Sequence, residues 1–338
     1  NFFTFFRKGA SMKAMRVHAY SDTLKEPMVL DDIPVPSPGP GEVLVKVKAI
    51  GVNPVDLSIR RGLPNYVSHL KLPHVLGSEI SGEVEACGEG VSNFSKGEKV
   101  FGYCSTRDAY SEYALLRENC ASLMPEGVSF TEAAALSVGF QTAWHALVIQ
   151  AKVTAGETVL VHGGAGGVGI ATIQLAKALG CRVLTTVSSK EKAEFCLSYG
   201  ADETINYREE DFPSRVMALT GDVGVNVIVD VAACENFSKN LEAAAVKGRV
   251  VIVGMGTGKG PMTTVNVSGM MGKNLAVYGI SARNLTPVIS EVIAGLNKMW
   301  KTHNLRVPVD REMPFEQANE CHDVLLSGKF FGKLVLTF

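Results

Sequence analysis

The chain has 338 residues, of which 46% are apolar and 20% charged, and single cores stop growing beyond roughly 250–300 residues, so two domains are expected. Basic and acidic residues nearly cancel, at 33 against 34, which leaves no positive field for a nucleic-acid backbone and argues against nucleic acid as the main partner. No apolar run reaches the roughly 18–20 residues that cross a bilayer, so we expect no membrane span.

The N-terminal residues 1–11 are aromatic and basic, and no acidic residue precedes Asp22. This extension fits a tag, a native segment or the remnant of a mitochondrial presequence. The 7 cysteines form no Cys-x-x-Cys pair, so they predict neither a disulfide framework nor a zinc knuckle, and no metal site is expected. We therefore expect a reducing compartment, the cytoplasm, or the mitochondrion if residues 1–11 are a presequence.

From Met12 to about Ala134 the sequence predicts short strands separated by turns. Over Val43–Ala49, apolar residues at every second position alternate with residues that are polar except for Leu44. This pattern is typical of a half-buried strand. Gly82–Ala86 and Lys99–Gly102 predict further strands, with Gly88, Gly90 and Gly97 as turn points. The pattern favours an antiparallel, barrel-like domain.

After Thr131 the period changes, and short apolar runs alternate with helical stretches. Glu132–Gln150 predicts one long helix. The predicted strands are Thr158–His162, Arg182–Val187, Val225–Val231, Arg249–Val253 and Leu275–Tyr278. The predicted helices include Val168–Leu179, Lys190–Tyr199, Pro287–Trp300 and Glu316–Leu326, and a last strand covers Lys333–Phe338. Alternating strands and helices favour a doubly wound α/β fold with a parallel sheet.

A glycine-rich turn lies between the strand ending at His162 and the helix beginning near Val168. Gly164, Gly166 and Gly169 have G-x-G-x-x-G spacing in the strand-turn-helix context that makes this motif specific. The glycines serve a tight turn, close approach of a diphosphate and close packing of helix on strand, while the helix N-terminus offers N–H groups to the phosphates. The sequence therefore predicts a dinucleotide cofactor held by Gly164, Ala165, Gly166, Gly167, Val168 and Gly169.

The end of the next strand indicates which dinucleotide is bound. Enzymes that use NAD place an Asp or Glu there for the ribose hydroxyls, whereas Thr185–Lys190 contains no acid. The hydroxyls of Ser188 and Ser189, with the cation of Lys190 or Lys192, suit a 2′-phosphate. The expected cofactor is therefore NADPH, although lysines at the start of a helix are also common surface residues.

Several short motifs in chain order resemble the medium-chain dehydrogenase/reductase superfamily, and within it the zinc-free quinone oxidoreductase (zeta-crystallin-like) branch. The resemblance covers nearly the whole chain from Met12. The motifs are Pro40–Val47, Gly51–Asp56, Gly77–Glu79, Gly82–Val84, Gly97–Val100, Ala165–Gly169 and Gly328–Val335. It implies a GroES-like catalytic domain at 12–134 and 283–338, and a Rossmann domain that binds NADPH at 135–282.

The same resemblance bears on metal chemistry. Zinc-dependent alcohol dehydrogenases of the superfamily carry Cys where this chain has Asn53, and His where it has Ser78. Asn and Ser are poor zinc ligands, so the resemblance implies no metal and no alcohol oxidation assisted by a Lewis acid. Hydride transfer to a conjugated acceptor, a quinone or an enone, fits instead because the extended π-system takes up charge.

Family roles carry over to individual positions. They place Asn53 and Thr142 near the nicotinamide, Ser188 and Lys192 at the 2′-phosphate, Tyr207 beside the adenosine, and Gly254 and Lys333 close to the cofactor. Each side chain also has a plain structural alternative: an Asn that satisfies loop carbonyls, a helix hydroxyl, a surface ring.

Two further functions and one assembly stay open at this point. Related 2-enoyl thioester reductases use a Tyr after the Asn-Pro-x-Asp motif as proton donor; Tyr66 is the candidate, although it lies two residues late and Pro64 takes the matching place. Asp56 is expected to cap the helix Leu57–Arg60.

Members of this branch also serve as non-catalytic binding proteins. The superfamily's usual homodimer implies pairing of the apolar edge strand near Leu275–Ile280 across a two-fold axis.

Overall fold

The computed structural model describes residues 9–104, 106, 108–256 and 261–338, without the side chains of residues 282, 283 and 286. Most of the predicted N-terminal extension, residues 1–8, lies outside this range. The strands are β1 (Ser11–Val17), β2 (Val29–Pro34), β3 (Glu42–Gly51), β4 (His74–Val75), β5 (Glu79–Cys87), β6 (Lys99–Tyr103), β7 (Tyr113–Arg117), β8 (Ala121–Leu123), β9 (Thr158–Val161), β10 (Arg182–Val187), β11 (Glu203–Asn206), β12 (Val225–Asp230), β13 (Ala244–Ile252), β14 (Ala276–Gly279), β15 (Val309–Pro314) and β16 (Lys333–Thr337). The α-helices are α1 (Pro54–Arg60), α2 (Pro64–Val67), α3 (Phe130–Ala134), α4 (Ser137–Trp144), α5 (Gly167–Ala178), α6 (Lys190–Ser198), α7 (Phe212–Leu219), α8 (Ala233–Ala243), α9 (Val267–Lys273), α10 (Ile289–Thr302) and α11 (Ala318–Ser327).

The chain forms two compact units. The first unit ends at Val138 and resumes over Val307–Phe338. Its larger sheet has the order β15-β16-β3-β5-β6-β8, with β7 also paired to β3, and a smaller sheet has the order β2-β1-β4. In the part described, this path does not close into a ring. The alternating strand predicted at Val43–Ala49 is confirmed as β3, although Leu44, on the face that carries the exposed Lys46, is fully buried as well.

The second unit, Gly139–Arg306, is built on a parallel sheet with the order β11-β10-β9-β12-β13-β14. Every neighbouring pair in this sheet is parallel, so all the strands end at one edge. The chain moves outward from β9 to β11 and then returns to the other side of β9 at β12, which places a topological switch point between β9 and β12. Ligands of doubly wound sheets bind at such a point, outside the carboxyl ends of the strands. The predicted fold class is confirmed.

The helix predicted over Glu132–Gln150 is divided. The structure has α3, then α4, and then a π-helical turn over His145–Gln150. Ser129 begins α3 through a capping box with Glu132, and this helix ends at Ala135 before α4 starts. The sequence pattern did not show these breaks because the whole stretch is apolar on most sides.

The boundary between the units lies later in the chain than the predicted domain boundary at 282/283. The units divide at Arg306/Val307 because α10 packs on the second unit. A Cβ on Gly295 of α10 would lie 2.2 Å from the Trp144 ring, so that helix and ring are in direct contact. Gln174 of α5 also bonds both backbone groups of Arg306, at 2.6 Å and 3.0 Å.

Candidate functional site

The glycine-rich turn connects β9 to α5 at the switch point. Gly163 has a φ of +66°, so the left-handed residue of the turn is Gly163 and not the first glycine of the motif. Gly164 is needed for packing, because a Cβ there would lie 2.0 Å from Thr185 Oγ1. A Cβ on Gly169 would lie 2.3 Å from the Gly163 carbonyl oxygen, which lets α5 start tightly against the turn.

Gly166 differs from these glycines because neither its φ nor a contact inside the protein requires a glycine at this position. Its φ is −86°, and a Cβ would meet only the Gly163 carbonyl oxygen, at 3.5 Å. Gly166 is also the N-cap of α5, which has no side-chain cap. An uncapped helix start presents free N–H groups, and a glycine without an internal reason fits a ligand that approaches the backbone. The turn therefore fits a diphosphate.

The other predicted cofactor residues of the second unit lie at the same edge of the sheet. Ser188 and Ser189 follow β10, Tyr207 follows β11 and Gly254 follows β13. Ser189 is the N-cap of α6 and accepts a hydrogen bond from the Lys192 backbone N–H at 3.3 Å, so Lys192 belongs to the first helical turn. Tyr207 is 51% exposed, and its backbone N–H bonds the Val187 carbonyl oxygen at 3.1 Å.

Thr142 is half-buried on α4, which contacts the turn directly. A Cβ on Gly139, one turn before Thr142, would lie 3.1 Å from the carbonyl oxygen of Gly167. The start of α4 is thus packed against the start of α5. The structure brings Thr142 to the neighbourhood of the dinucleotide turn, although no single motif connects these positions in the sequence.

A second cluster, in the first unit, is a buried ion pair that holds Asn53. Lys333 Nζ donates to Glu79 Oε1, to Asn53 Oδ1 at 2.7 Å and to the Val52 carbonyl oxygen at 3.0 Å. Asn53 Nδ2 donates to Glu79 Oε1 at 2.9 Å and to the Gly51 carbonyl oxygen at 3.2 Å. These contacts use all three donors of Lys333 and fix the orientation of the Asn53 amide.

Glu79 connects this cluster to α4. It is fully buried, and its Oε2 accepts the backbone N–H of Val138 in the first turn of α4 at 2.7 Å. Gly51 leaves room for the carboxylate, because a Cβ there would lie 2.4 Å from Glu79 Oε1. One buried carboxylate thus contacts Asn53, Lys333 and the first turn of α4.

Asp56 joins the cluster to a chain of buried polar groups. Its Oδ2 accepts the Asn53 backbone N–H at 2.9 Å and the Tyr110 hydroxyl at 3.1 Å, and Tyr110 also bonds His322 Nε2 at 3.1 Å. Burial lowers the pKa of His322 to about 3, and it raises the pKa of Asp56 to about 6. The predicted helix cap is corrected in detail: α1 begins at Pro54, Asn53 is its N-cap, and Asp56 closes the cap from the third helical position.

The raised pKa of Asp56 predicts a pH dependence of stability. A carboxyl with a folded pKa of about 6 and an ordinary value of 3.8 binds more protons in the folded than in the unfolded state between these values. Its contribution to the free energy of unfolding therefore falls by about 3 kcal/mol as the pH rises through this window, and stays lower above it. Denaturant unfolding of wild type and Asp56→Asn from pH 4 to pH 7 measures this; parallel pH profiles of the two proteins would contradict it.

Two predicted positions stand apart from these contacts. Tyr66 lies on α2, half-buried against the core of the first unit. Ser78 is buried, and its hydroxyl has no hydrogen-bond partner among the described residues. Glu79 was not predicted as a site residue, although an acid between Ser78 and the apolar Ile80 at the start of a strand was a usable signal.

The described residues were also searched for metal-ligand groups and for helices that could span a membrane. Within the described ranges, no group of three or more His, Cys, Asp and Glu side chains is placed to hold a metal ion. In the same part of the chain, every helix is too short or too polar to cross a bilayer.

Two family models match the chain and follow the two units. The model described as alcohol dehydrogenase GroES-like domain matches residues 39–142. The model described as zinc-binding dehydrogenase matches residues 167–298, which include the dinucleotide turn from Gly167 and the sheet edge.

Curated relatives and solved structures agree with these models over nearly the whole chain. Rat quinone oxidoreductase is 36% identical over 96% of this chain and 97% of its own, and a Pseudomonas aeruginosa quinone oxidoreductase is 33% identical over 88% and 92%. A mycobacterial protein solved in complex with NADPH is similar at a TM-score of 0.87 and 33% identity, covering 97% of this chain and all of the other. A quinone oxidoreductase from Pseudomonas syringae is similar at a TM-score of 0.86 and 31% identity, with the same coverage. The chain therefore belongs to the medium-chain dehydrogenase/reductase superfamily, in its quinone oxidoreductase branch, and is an oxidoreductase.

Proposed function

We propose that this oxidoreductase is a zinc-independent enzyme that transfers hydride from NADPH to a quinone or another conjugated carbonyl acceptor. The observation that carries the proposal is the glycine turn at the switch point, where Gly166 has no internal reason to be glycine. The relatives named quinone oxidoreductase and the similar mycobacterial protein solved with NADPH support it. Bound NADPH supplies the hydride; the chain supplies binding, orientation and exclusion of water.

The preference for NADPH over NADH rests on the sheet edge after β10. Parallel strands put Ser188 and Ser189 at the edge that also carries the dinucleotide turn, and no acid stands in Thr185–Lys190. A carboxylate there would repel a 2′-phosphate, whereas serine hydroxyls and the Lys192 ammonium would bind it. Tyr207, 51% exposed at the end of the next strand, would lie beside the adenosine.

Replacing Lys192 with alanine is expected to weaken NADPH binding about tenfold or more and to leave NADH binding unchanged. The reason is that a charge-assisted hydrogen bond is worth about 1.5–3 kcal/mol, and only NADPH carries the 2′-phosphate. Lys190→Ala is the comparison that separates the two candidate lysines: Lys190 lies two residues away, its side chain is 86% exposed, and it pairs with Glu194 at 3.9 Å. Fluorescence titration with both cofactors measures the constants; equal losses for NADPH and NADH would contradict the assignment.

Zinc independence rests on the chemistry of the donors in the first unit. The Asn53 amide is engaged by Lys333 and Glu79, so its oxygen and nitrogen already have partners. Ser78, at the position of a zinc-ligand His in related alcohol dehydrogenases, offers a neutral hydroxyl, which is a poor zinc ligand. A conjugated acceptor suits such a site because reduction does not require a strong Lewis acid.

The chain's own residues then have the following roles. Lys333 and Glu79 hold the Asn53 amide in one orientation, so Asn53 can present its remaining Oδ1 lone pair to cofactor or acceptor without reorganisation. Glu79 fixes the start of α4, which carries Thr142. Gly254, after β13, is required by packing, because a Cβ there would lie 2.5 Å from the Val231 carbonyl oxygen, and its backbone would also pass close to the cofactor. Tyr66 or solvent would donate the proton that completes reduction.

Turnover with different acceptors tests the function. The protein is incubated with NADPH and phenanthrenequinone, and separately with NADPH and a crotonyl thioester, while the absorbance of the reduced nicotinamide is followed. Oxidation with the quinone and not with the thioester is expected. Preference for the thioester would assign a 2-enoyl thioester reductase instead, and NADPH binding without oxidation by any acceptor would leave a non-catalytic binding protein.

We also propose a homodimer that forms through the edge strand of the parallel sheet. In the described part of the chain, β14 ends the sheet order, and apolar side chains nearby are exposed, among them Val246 at 64%, Val267 at 62% and Met271 at 72%. An open apolar edge favours pairing with a second copy. Sedimentation of the purified protein measures the state.

A further inference from the structure

Four buried polar side chains lie beneath the dinucleotide turn and connect three strands of the parallel sheet. Thr186 is on β10, His162 directly follows β9, Asp230 ends β12, and Asn240 is on α8. None of them is more than 2% exposed. β9 and β12 flank the switch point, so these groups lie under the proposed cofactor site and outside the set of residues assigned to it above.

The contacts run in one unbroken series. Asn240 Nδ2 lies 2.6 Å from Asp230 Oδ2, and Asn240 Oδ1 lies 2.8 Å from His162 Nε2. His162 Nδ1 lies 3.0 Å from Thr186 Oγ1, which accepts the backbone N–H of Gly163 at 3.3 Å. The series therefore begins at a buried carboxylate and ends at the first glycine of the turn.

The chemistry of each group fixes the direction of every hydrogen bond. The two oxygens of Asp230 accept three donors: Asn240 Nδ2, the backbone N–H of Ala232 at 2.8 Å and Asn236 Nδ2 at 3.2 Å. The Asn240 amide therefore turns its NH₂ toward Asp230 and its oxygen toward His162, so Nε2 of the ring must carry a proton.

The other ring nitrogen follows from this. Burial lowers the pKa of His162, which keeps the ring neutral, so Nδ1 is an acceptor and takes the Thr186 hydroxyl proton. Thr186 Oγ1 then accepts from Gly163. Each group donates toward Asp230 and accepts from the direction of the turn, an arrangement in which successive hydrogen bonds polarise one another.

The ring is also held sterically. Phe212, from α7, meets the His162 ring edge to face, with centroids 4.8 Å apart and an interplanar angle of 78°. The backbone N–H of Gly164 bonds the Thr186 carbonyl oxygen at 3.2 Å. The inward N–H groups at 163 and 164 are thus both bound to Thr186, and the turn has one orientation relative to β10.

We infer that His162, with Thr186, Asn240 and Asp230, is a positioning chain that sets the backbone of the dinucleotide turn and thereby the affinity for the cofactor diphosphate. This inference rests on the proposed function, binding of NADPH. These four side chains are assigned no contact with the cofactor. They act by fixing Gly163 and Gly164, from which the phosphate-facing N–H groups of the following residues take their direction.

The test compares two threonines that make the same kind of contact. Thr186→Val removes the hydroxyl that serves both His162 and Gly163, while Thr186→Ser keeps it. Thr220→Val is the matched control, because Thr220 Oγ1 likewise donates to a neighbour, the Val216 carbonyl, and accepts a glycine N–H, from Gly224 at 2.9 Å. Thr220 follows α7 and is not part of the turn.

NADPH affinity is measured by fluorescence titration and stability by thermal unfolding. Thr186→Val is expected to raise the Kd for NADPH about tenfold, because the His162 ring and the Gly163 N–H both lose their hydroxyl partner and the turn is no longer held in one orientation, whereas Thr186→Ser and Thr220→Val stay within about twofold. If Thr186→Val bound NADPH with the affinity of the wild type, the inferred positioning role of these four side chains would be wrong. Failure of the wild type to bind NADPH would instead overturn the proposed function, and with it this role.

A second readout does not depend on the variant folding. Nitrogen-15 NMR of the His162 ring in the ligand-free wild type is expected to show a single neutral tautomer with the proton on Nε2. A proton on Nδ1, or a mixture of tautomers, would contradict the inferred series of hydrogen bonds, because their direction would then differ. This holds whatever the NADPH affinities of the variants are.

Discussion

Gly166→Ala is expected to weaken NADPH binding about tenfold or more while leaving the fold intact. A methyl group at this position has no close neighbour within the protein, since its only near contact is the Gly163 carbonyl oxygen at 3.5 Å, and the φ of −86° is open to alanine. The methyl group would occupy the space through which a diphosphate approaches the backbone. A tenfold loss corresponds to about 1.4 kcal/mol, which the contact of a phosphate with a helix N-terminus readily supplies.

Two further glycine variants separate ligand approach from folding. Gly272→Ala, in α9, also meets nothing within 4 Å; it is expected to leave the affinity unchanged and not to lower stability, because alanine favours a helix over glycine. Gly169→Ala would place Cβ 2.3 Å from the Gly163 carbonyl oxygen and is expected to lower both. Isothermal titration and thermal unfolding of the three variants are the measurements. A Gly166→Ala protein that binds NADPH like the wild type would contradict the assigned role of the turn.

Lys333→Met is expected to destabilise the protein by about 3–5 kcal/mol, because it leaves the fully buried Glu79 carboxylate without a counter-charge. Glu79→Gln should cost a similar amount for the opposite reason, since the Lys333 ammonium would be unpaired. The double variant should lose less than the sum of the single losses, since neither charge of the pair is left without its partner. Free energies of unfolding from denaturant titration, combined in a double-mutant cycle, give this coupling.

An exposed ion pair of the first unit provides the control. Lys13 and Asp32 make a 2.7 Å contact but are 49% and 61% exposed. Lys13→Met and Asp32→Asn should each change stability by less than about 1 kcal/mol, because water screens the pair. If Lys333→Met cost no more than Lys13→Met, the buried pair would not be the element that fixes Asn53.

The parallel sheet could be predicted because its strands are buried apolar runs with clear ends. Arg182–Val187 matches β10 residue by residue, and Thr158–His162 differs from β9 only at its last position. β11, Glu203–Asn206, was missed because it is a short edge strand with two polar ends and no alternating pattern. The division of Glu132–Gln150 was also missed, because it depends on caps within an apolar segment.

The sequence predicted the part of the site that depends on local backbone chemistry. It did not predict the part in which side chains far apart in the sequence come together. The glycine turn has a local reason for each residue, so the spacing was informative. Glu79, Lys333 and Asn53 lie far apart in the sequence, and only the sheet pairing of β3 with β5 and β16 brings them together. The same holds for His162 and Asn240, which are 78 residues apart. Sequence periodicity contains no information on such pairs.

Removal of metal from the protein tests directly whether a metal-free site reduces a conjugated acceptor with NADPH. The purified protein is dialysed exhaustively against a chelator, its metal content is determined, and the rate of NADPH oxidation by phenanthrenequinone is compared with that of the untreated protein. We expect the same rate before and after dialysis and no gain on adding zinc. Loss of turnover that zinc restores would contradict it.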